Sequence, residues 1–127
     1  MKANEIFTLP RTGIKLKNRT VLAAMTNKQS HDDGTLSEEE KKWLIRRSDG
    51  DFAIITTAAT NVTETGRGWN GEMGVWSDHH LPGLTDLANR LRKPNMITLA
   101  QLFHGGMRAP QSLSLIHISE PTRRSSI

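Results

Sequence analysis

Three apolar segments alternate with two helix-forming segments along this sequence, and that order constrains the fold more than any other feature. The apolar segments are Thr20–Met25, Phe52–Thr57 and Met96–Leu102. The second is β-branched and continuous rather than alternating, which is typical of a strand buried on both faces of a parallel sheet. We therefore expect three buried strands in β/α units, with parallel pairing and right-handed crossovers.

The two segments between these strands carry signals for helices. Ser37 stands three residues before Glu40, which predicts a capping box and a helix that runs to about Arg47. A second helix is expected over Gly83–Arg92, with Pro94 just beyond its end. The residues on the apolar face of this second helix are Leu84, Leu87, Ala88 and Leu91.

The remaining segments predict a hairpin and a long loop. Ile6–Leu9 and Gly13–Leu16 have the composition of two short extended pieces on either side of a turn. The segment Ala59–Pro82 is rich in glycine and carries Trp69 and Trp76. Because long loops in compact domains are usually functional or disordered, the two tryptophans favour a packed, ordered loop here.

Composition excludes several classes of protein. The 127 residues include no cysteine, which excludes disulfide frameworks and cysteine-ligated metal sites. The net charge is +4, but no basic group is interleaved with stacking aromatics, so we expect no nucleic-acid partner. No apolar run approaches the ~20 residues that span a bilayer, and the first ten residues do not resemble a secretory signal. We expect a cytoplasmic protein without a membrane partner.

A metal site is also not expected. His79 and His80 lack the helical spacing of paired ligands and have no third ligand nearby in the sequence. We expect them to be exposed loop residues.

Small and polar residues follow each predicted strand, and ligands of α/β proteins bind at these carboxyl ends. Ala58 and Ala59 leave room for a flat ring. The Gln101 amide can donate to and accept from a heteroaromatic edge, and Thr26 offers a hydroxyl. From residue chemistry alone an alternative stays open, in which the alanines serve helix packing and Gln101 caps a loop.

Several motifs occur in a fixed order between about residues 5 and 111. They are LKNRTVLAAMT at 16–26, Asp33-Gly34 with Leu36-Ser37, IITTA at 54–58, Gly66-Arg67, Trp76-Ser77-Asp78 with Leu81-Pro82-Gly83, and QLFHGG at 101–106. Together they resemble the Old Yellow Enzyme family of FMN-dependent NAD(P)H:flavin oxidoreductases. The last motif is similar to the Gln-Leu-x-His-x-Gly signature of that family.

This resemblance implies a (β/α)8 barrel that carries FMN at the C-terminal face of its strands. It implies NAD(P)H as reductant and an electron-poor alkene as the small-molecule substrate. The cofactor-binding residues that it implies are Ala23, Ala24, Met25, Thr26, Ala58 and Gln101. In this resemblance the first strand wraps the flavin, Ala58 lies beside the ring and Gln101 holds its pyrimidine edge. The catalytic residues of the family lie on later strands, so none is expected in this chain.

A barrel of this type needs ~250 residues or more, so the sequence predicts a truncated (β/α)8 TIM barrel: the N-terminal hairpin and about three β/α units. We expect residues 1–112 to form this N-terminal part of an FMN-binding barrel. Residues 113–123, LSLIHISEPTR, resemble the translation of a transposase-type sequencing adapter, so 113–127 is expected to be an unstructured, artefactual tail. A natural serine-rich tail is the alternative.

We expect this chain to be inactive as an oxidoreductase by itself, since only about three of eight strands are present. The alternative function is a small basic binding module without redox activity. The sequence leaves open whether the longer protein is a homo-oligomer.

Overall fold

An antiparallel hairpin begins the computed structural model, which describes residues 1–110 and Ser112. Its strands are β1 (Phe7–Thr8) and β2 (Lys15–Leu16). The turn between them is closed by the Leu9 amide, which donates to the Ile14 carbonyl oxygen at 2.9 Å. The predicted pair of short extended pieces is therefore confirmed.

A four-stranded parallel sheet follows, with β4 (Ile54–Asn61) at its centre. The strand β6 (Ile97–Phe103) pairs along one edge of β4. On the other edge, β3 (Val21–Leu22) pairs with the start of β4, and β5 (Met73–Gly74) pairs with its end. All these pairings are parallel, as the alternation of strand and helix signals predicts.

The first helix, α1 (Glu38–Ser48), begins where the sequence predicts. Ser37 caps it, because the Ser37 hydroxyl oxygen accepts a hydrogen bond from the Glu40 amide at 3.1 Å. The capping box is only half formed, however. The Glu40 carboxyl accepts from the Ser30 hydroxyl instead of returning to Ser37.

The second helix, α2 (Leu81–Leu91), begins two residues before the predicted start at Gly83. A short 3-10 turn, Asp78–His80, leads directly into it, so the chain is already helical when Leu81 is reached. Pro82 lies in the first turn of the helix, where the lack of an amide hydrogen is tolerated.

The hydrophobic core lies between the two helices and the sheet. Its buried residues are Leu22, Leu44, Ile55, Leu87 and Leu91. Each buried side chain of this size contributes about 1.5–3 kcal/mol relative to an exposed one. The other two residues of the predicted apolar face of α2, Leu84 and Ala88, line an apolar cleft of about 300 Å³ beside β6.

The prediction of three buried strands is wrong for β6. Five of its seven residues are exposed, and Leu102 has an exposed fraction of 67%. Among the described residues only β4 pairs with β6, so its outer edge and much of its surface lack protein neighbours. The apolar composition of this segment predicts a strand, but it does not predict which elements cover that strand.

Two predicted boundaries also need correction. The first parallel strand is confined to β3, since Ala23–Met25 run past the last paired residue, Leu22. The segment predicted as a loop over Ala59–Pro82 contains the end of β4, all of β5 and the start of α2. The sequence pattern misses β5 because two residues are too short to show a period.

No helix in the part of the chain that the structure describes has the length and apolarity to cross a bilayer. The tail predicted over 113–127 lies outside the described residues.

Candidate functional site

The candidate site is the edge of the sheet at which β3, β4 and β6 end. Because the three strands are parallel, their carboxyl ends meet at this one edge. Ala58 is buried there, whereas the Gln101 side chain is exposed. The register places Gln101 directly opposite Ala59, so the structure brings the predicted residues of β4 and β6 together.

The predicted residues after β3 lie beyond its last pair with β4. Ala24 is half-buried, whereas Ala23, Met25 and Thr26 are exposed. They follow the last pair of β3, which lies opposite Ile55, and the exposed side chains of Ala23, Met25 and Thr26 are available to a ligand. Their exposure is the opposite of the burial predicted for a strand over Thr20–Met25.

A β-bulge in β4 shapes the centre of this site. The register with β6 shifts between Thr56 and Ala59, so two residues of β4 stand opposite one of β6. The backbone amide of Gln101 donates to the Thr57 hydroxyl oxygen at 3.2 Å. The Thr57 side chain thus replaces the backbone carbonyl that would accept this hydrogen bond in a regular sheet. The backbone donor of Gln101 is thereby satisfied, which leaves its side-chain amide for a ligand.

Two threonines hold this bulge, and the site prediction does not include them. The Thr57 and Thr60 hydroxyls lie 3.2 Å apart, and both are within 3.0 Å of the Ala58 carbonyl oxygen. Both threonines are buried. The signal that could have found them is a pair of hydroxyl residues on either side of Ala58-Ala59 in an otherwise apolar strand.

The loop after β3 is fastened to the loop after β4. The Ser30 amide donates to the Gly71 carbonyl oxygen at 3.1 Å, and the Gly74 amide donates to the Gly34 carbonyl oxygen at 2.9 Å. Gly34 has a φ of +82°, and a Cβ atom there would lie 2.4 Å from the Trp76 ring. Only glycine satisfies both the backbone angle and the space.

His80 completes this fastening, contrary to the prediction that both histidines are exposed. His80 is buried, and its Nε2 lies 2.9 Å from the Asp33 carbonyl oxygen. Its ring packs edge-on against Trp76, with 4.3 Å between the centroids. His79 is exposed, as predicted. Tertiary packing therefore uses one histidine of the pair to hold the loop.

A buried carboxyl closes the loop after β4 on itself, and an aromatic contact joins this loop to the end of β6. Glu72 Oε2 accepts from the Gly68 amide at 2.8 Å, and burial raises the pKa of Glu72 above its usual value. Trp69 on the same loop packs on Phe103, the last residue of β6, with 5.2 Å between ring centroids. This contact orders the predicted packed loop beside Gln101.

The arrangement suits a flat heterocycle. Small buried residues lie at the end of β4, an exposed amide lies beside them on β6, and an exposed hydroxyl follows β3. An amide can donate and accept at the same time, as an edge of alternating carbonyl and N–H groups requires.

Comparison with known proteins gives a consistent result. Residues 9–124 match the model of the NADH:flavin oxidoreductase / NADH oxidase family. The chain is 35% identical over 109 residues to the probable NADH-dependent flavin oxidoreductase YqiG of Bacillus subtilis, covering 86% of this chain and 29% of that protein. It is 35% identical over 98 residues to an NADPH dehydrogenase of Bacillus licheniformis, covering 76% of this chain and 29% of the relative.

A solved structure shows the same fold. The Old Yellow Enzyme from Pichia sp. AKU4542 superposes with a TM-score of 0.80 over 91% of this chain and 29% of that enzyme, at 17% identity. The chain thus spans less than a third of each of these three proteins.

Proposed function

Because the chain belongs to the NADH:flavin oxidoreductase / NADH oxidase family, we propose that the whole protein is an FMN-dependent NAD(P)H oxidoreductase that reduces an electron-poor alkene. The fold supports this proposal, since the parallel sheet and its helices are part of the barrel found in Old Yellow Enzyme structures. That barrel fold also confirms the predicted truncated (β/α)8 architecture.

One observation carries the proposal: the way in which β4 and β6 present Gln101. Its backbone amide is bound to Thr57, its register partner is the small residue Ala59, and its side chain is exposed at the carboxyl end of the sheet. These residues fit a flavin ring, because they combine small alanine side chains with an amide for the polar pyrimidine edge.

The chemistry that FMN supplies when bound is hydride transfer between NAD(P)H and the acceptor. The residues of this chain bind and orient the ring. In the proposal, Gln101 would hydrogen-bond the polar edge of the ring, Ala58 would lie beside the ring, and the segment after β3 would wrap it. That segment comprises Ala23, Ala24, Met25 and Thr26. Location in the cytoplasm stays a prediction from the sequence.

The test is Gln101→Ala in the full-length protein, with FMN affinity and flavin midpoint potential as the measurements. Loss of a hydrogen bond to a buried polar edge costs on the order of 1–3 kcal/mol, so we expect about tenfold weaker FMN binding or a shifted potential. The control is Asn89→Ala, which removes an exposed amide from α2. An unchanged dissociation constant together with an unchanged potential would refute the role of Gln101.

A second substitution tests the segment after β3. If the Thr26 hydroxyl contacts the flavin, Thr26→Cys changes the midpoint potential of the full-length protein more than its melting temperature. A variant with the wild-type potential and a markedly lower melting temperature would show that Thr26 is a structural residue only.

A further inference from the structure

A buried carboxyl contacts the loop that follows residues 23–26. Glu40, in the first turn of α1, is 0% exposed, although glutamate is rarely buried without a charged partner. Its backbone amide donates to the capping hydroxyl of Ser37, and its carboxyl accepts from the Ser30 hydroxyl instead of the Ser37 amide. Such a group has a specific partner or a specific role.

Two residues of the loop after β3 meet this carboxyl. The Ser30 hydroxyl donates to Glu40 Oε2 in a buried contact. The Asn27 amide lies beside the same carboxyl and lowers its pKa, an effect smaller than the rise caused by burial. Asn27 Nδ2 and Glu40 Oε1 are both buried and have no hydrogen-bond partner of good geometry among the described residues. A donor and an acceptor therefore remain beside each other in the interior.

These contacts lie next to the residues proposed to hold the flavin. Asn27 immediately follows Thr26, and within the described part of the chain no strand pairs with the residues between Leu22 and Asn27. Ser30 is also bound through its backbone amide to the Gly71 carbonyl oxygen. Both its backbone and its side chain are therefore held in place. The carboxyl thus ties the loop directly after segment 23–26 to a helix whose position the core determines.

We infer that Glu40 is a positioning residue for FMN: through Ser30 and Asn27 it fixes the path of residues 23–26 against the ring. This inference rests on the proposed function. Glu40 touches neither the cofactor nor the substrate in this account; it acts through the loop. Outer residues that orient a binding group often matter nearly as much as the group itself.

The experiment uses the full-length protein with Glu40→Ala, Glu40→Gln and Ser30→Ala, and with Glu39→Ala as the control. Glu39 lies in the same helical turn but is exposed. Three quantities are measured: the FMN dissociation constant, the absorption spectrum of the bound flavin, and hydrogen exchange of residues 23–30 without FMN.

We expect Glu40→Ala to bind FMN about tenfold more weakly, with an altered flavin spectrum and faster exchange at 23–30. Ser30→Ala changes the same three quantities less, and it tests the contact even if Glu40→Ala does not fold. Glu40→Gln retains an acceptor for Ser30 and keeps FMN binding within about twofold, since the shape and one hydrogen bond are conserved. The Glu39 variant matches the wild type.

Three results would overturn the inference, each in a distinguishable way. If the wild type binds FMN, and Glu40→Ala and Ser30→Ala bind it equally well with the same spectrum, the positioning role is wrong while the proposed function stands. If the wild type binds no FMN at all, the proposed function is wrong, and the inference that rests on it is wrong as well. A lower melting temperature without any change in spectrum or exchange would show an ordinary core role for Glu40.

Discussion

The strands β4 and β6 run in the same direction, pair with each other and have similar apolar compositions, yet their surroundings differ sharply. Six of the eight residues of β4 are buried, whereas five of the seven residues of β6 are exposed. Strands pair with both edges of β4, and the core residues Leu44 and Leu87 pack with its Ile55. Among the described residues, β6 pairs with β4 alone.

The difference shows that burial of a parallel strand is a property of its neighbours. An apolar parallel strand is stable when layers cover both of its faces. The exposed Leu99 and Leu102 on β6, together with the apolar cleft beside it, are surfaces that further elements of a barrel would cover. We therefore expect β6 to behave differently in this chain alone and in the full-length protein.

The largest expected effect comes from comparing this chain with the full-length protein. An exposed β6 and an uncovered sheet face remove much of the burial that gives a domain its ~5–15 kcal/mol of stability. We expect the chain alone to aggregate or to form a loosely packed state that binds the dye ANS, without stoichiometric FMN and without NAD(P)H oxidation above that of free flavin. A soluble monomer with a sharp cooperative melt and one bound FMN would contradict this prediction.

The second prediction pairs one residue from each strand in the full-length protein. Ile55→Ala on β4 should cost about 2–5 kcal/mol in urea unfolding, because it leaves a cavity in the core. Leu102→Ala should cost a similar amount if further elements cover β6, despite its exposure in this chain. Leu81→Ala, at an exposed position on α2, is the control. A negligible cost for Leu102→Ala would mean that β6 stays uncovered.

The third prediction concerns the covered side, where α1 places Glu40 in the interior. Burial raises the pKa of Glu40, so the folded state favours the neutral carboxyl. The contribution of Glu40 to the free energy of unfolding is complete at a pH below the ordinary pKa of a glutamate. This contribution is lost as the pH rises through the raised pKa of Glu40. In thermal melts from pH 4 to 8, the melting temperature of Glu40→Gln should rise relative to that of the wild type as the pH increases. A constant difference between the two would contradict the raised pKa.

The smallest expected effect concerns the two helices that cover β4. Lys41 Nζ on α1 lies 3.0 Å from Asp86 Oδ2 on α2, and this hydrogen bond lowers the pKa of Asp86. The pair therefore stabilises the fold at a pH above the ordinary pKa of an aspartate. This stabilisation is lost as the pH falls through the lowered pKa of Asp86. Asp86→Asn should lower the melting temperature slightly at neutral pH and not at acidic pH. An equal difference at both pH values would show that charge is not the cause.

Much of the fold can be predicted from local patterns in the sequence. The hairpin, the parallel pairing, the Ser37 cap and α2 within two residues of its start all follow from short-range chemistry. For the site, the strand order predicts that residues after β3, β4 and β6 share one edge. The role of each side chain at that edge stays a prediction, and the experiments on Gln101 and Thr26 address it.

Other features depend on contacts between residues far apart in the sequence. The Thr57 bulge forms only when β6 lies beside β4, since its hydroxyl replaces a ladder acceptor for Gln101. His80 is buried because it meets the loop at Asp33, and Glu40 leaves its capping role because Ser30 approaches it. No local pattern predicts these pairings.

The sequence by itself determined where the helices and all strands but the two-residue β5 lie, because backbone preferences and apolar periodicity act within a few residues. It also determined that those strands pair in parallel, and hence the edge at which we propose that a ligand binds. Only the tertiary structure decided which strand is buried, which carboxyl enters the interior and which histidine holds a loop. Burial and hydrogen bonding at these positions depend on the groups that arrive from elsewhere in the chain, and Leu102, Glu40 and His80 have different surroundings for that reason.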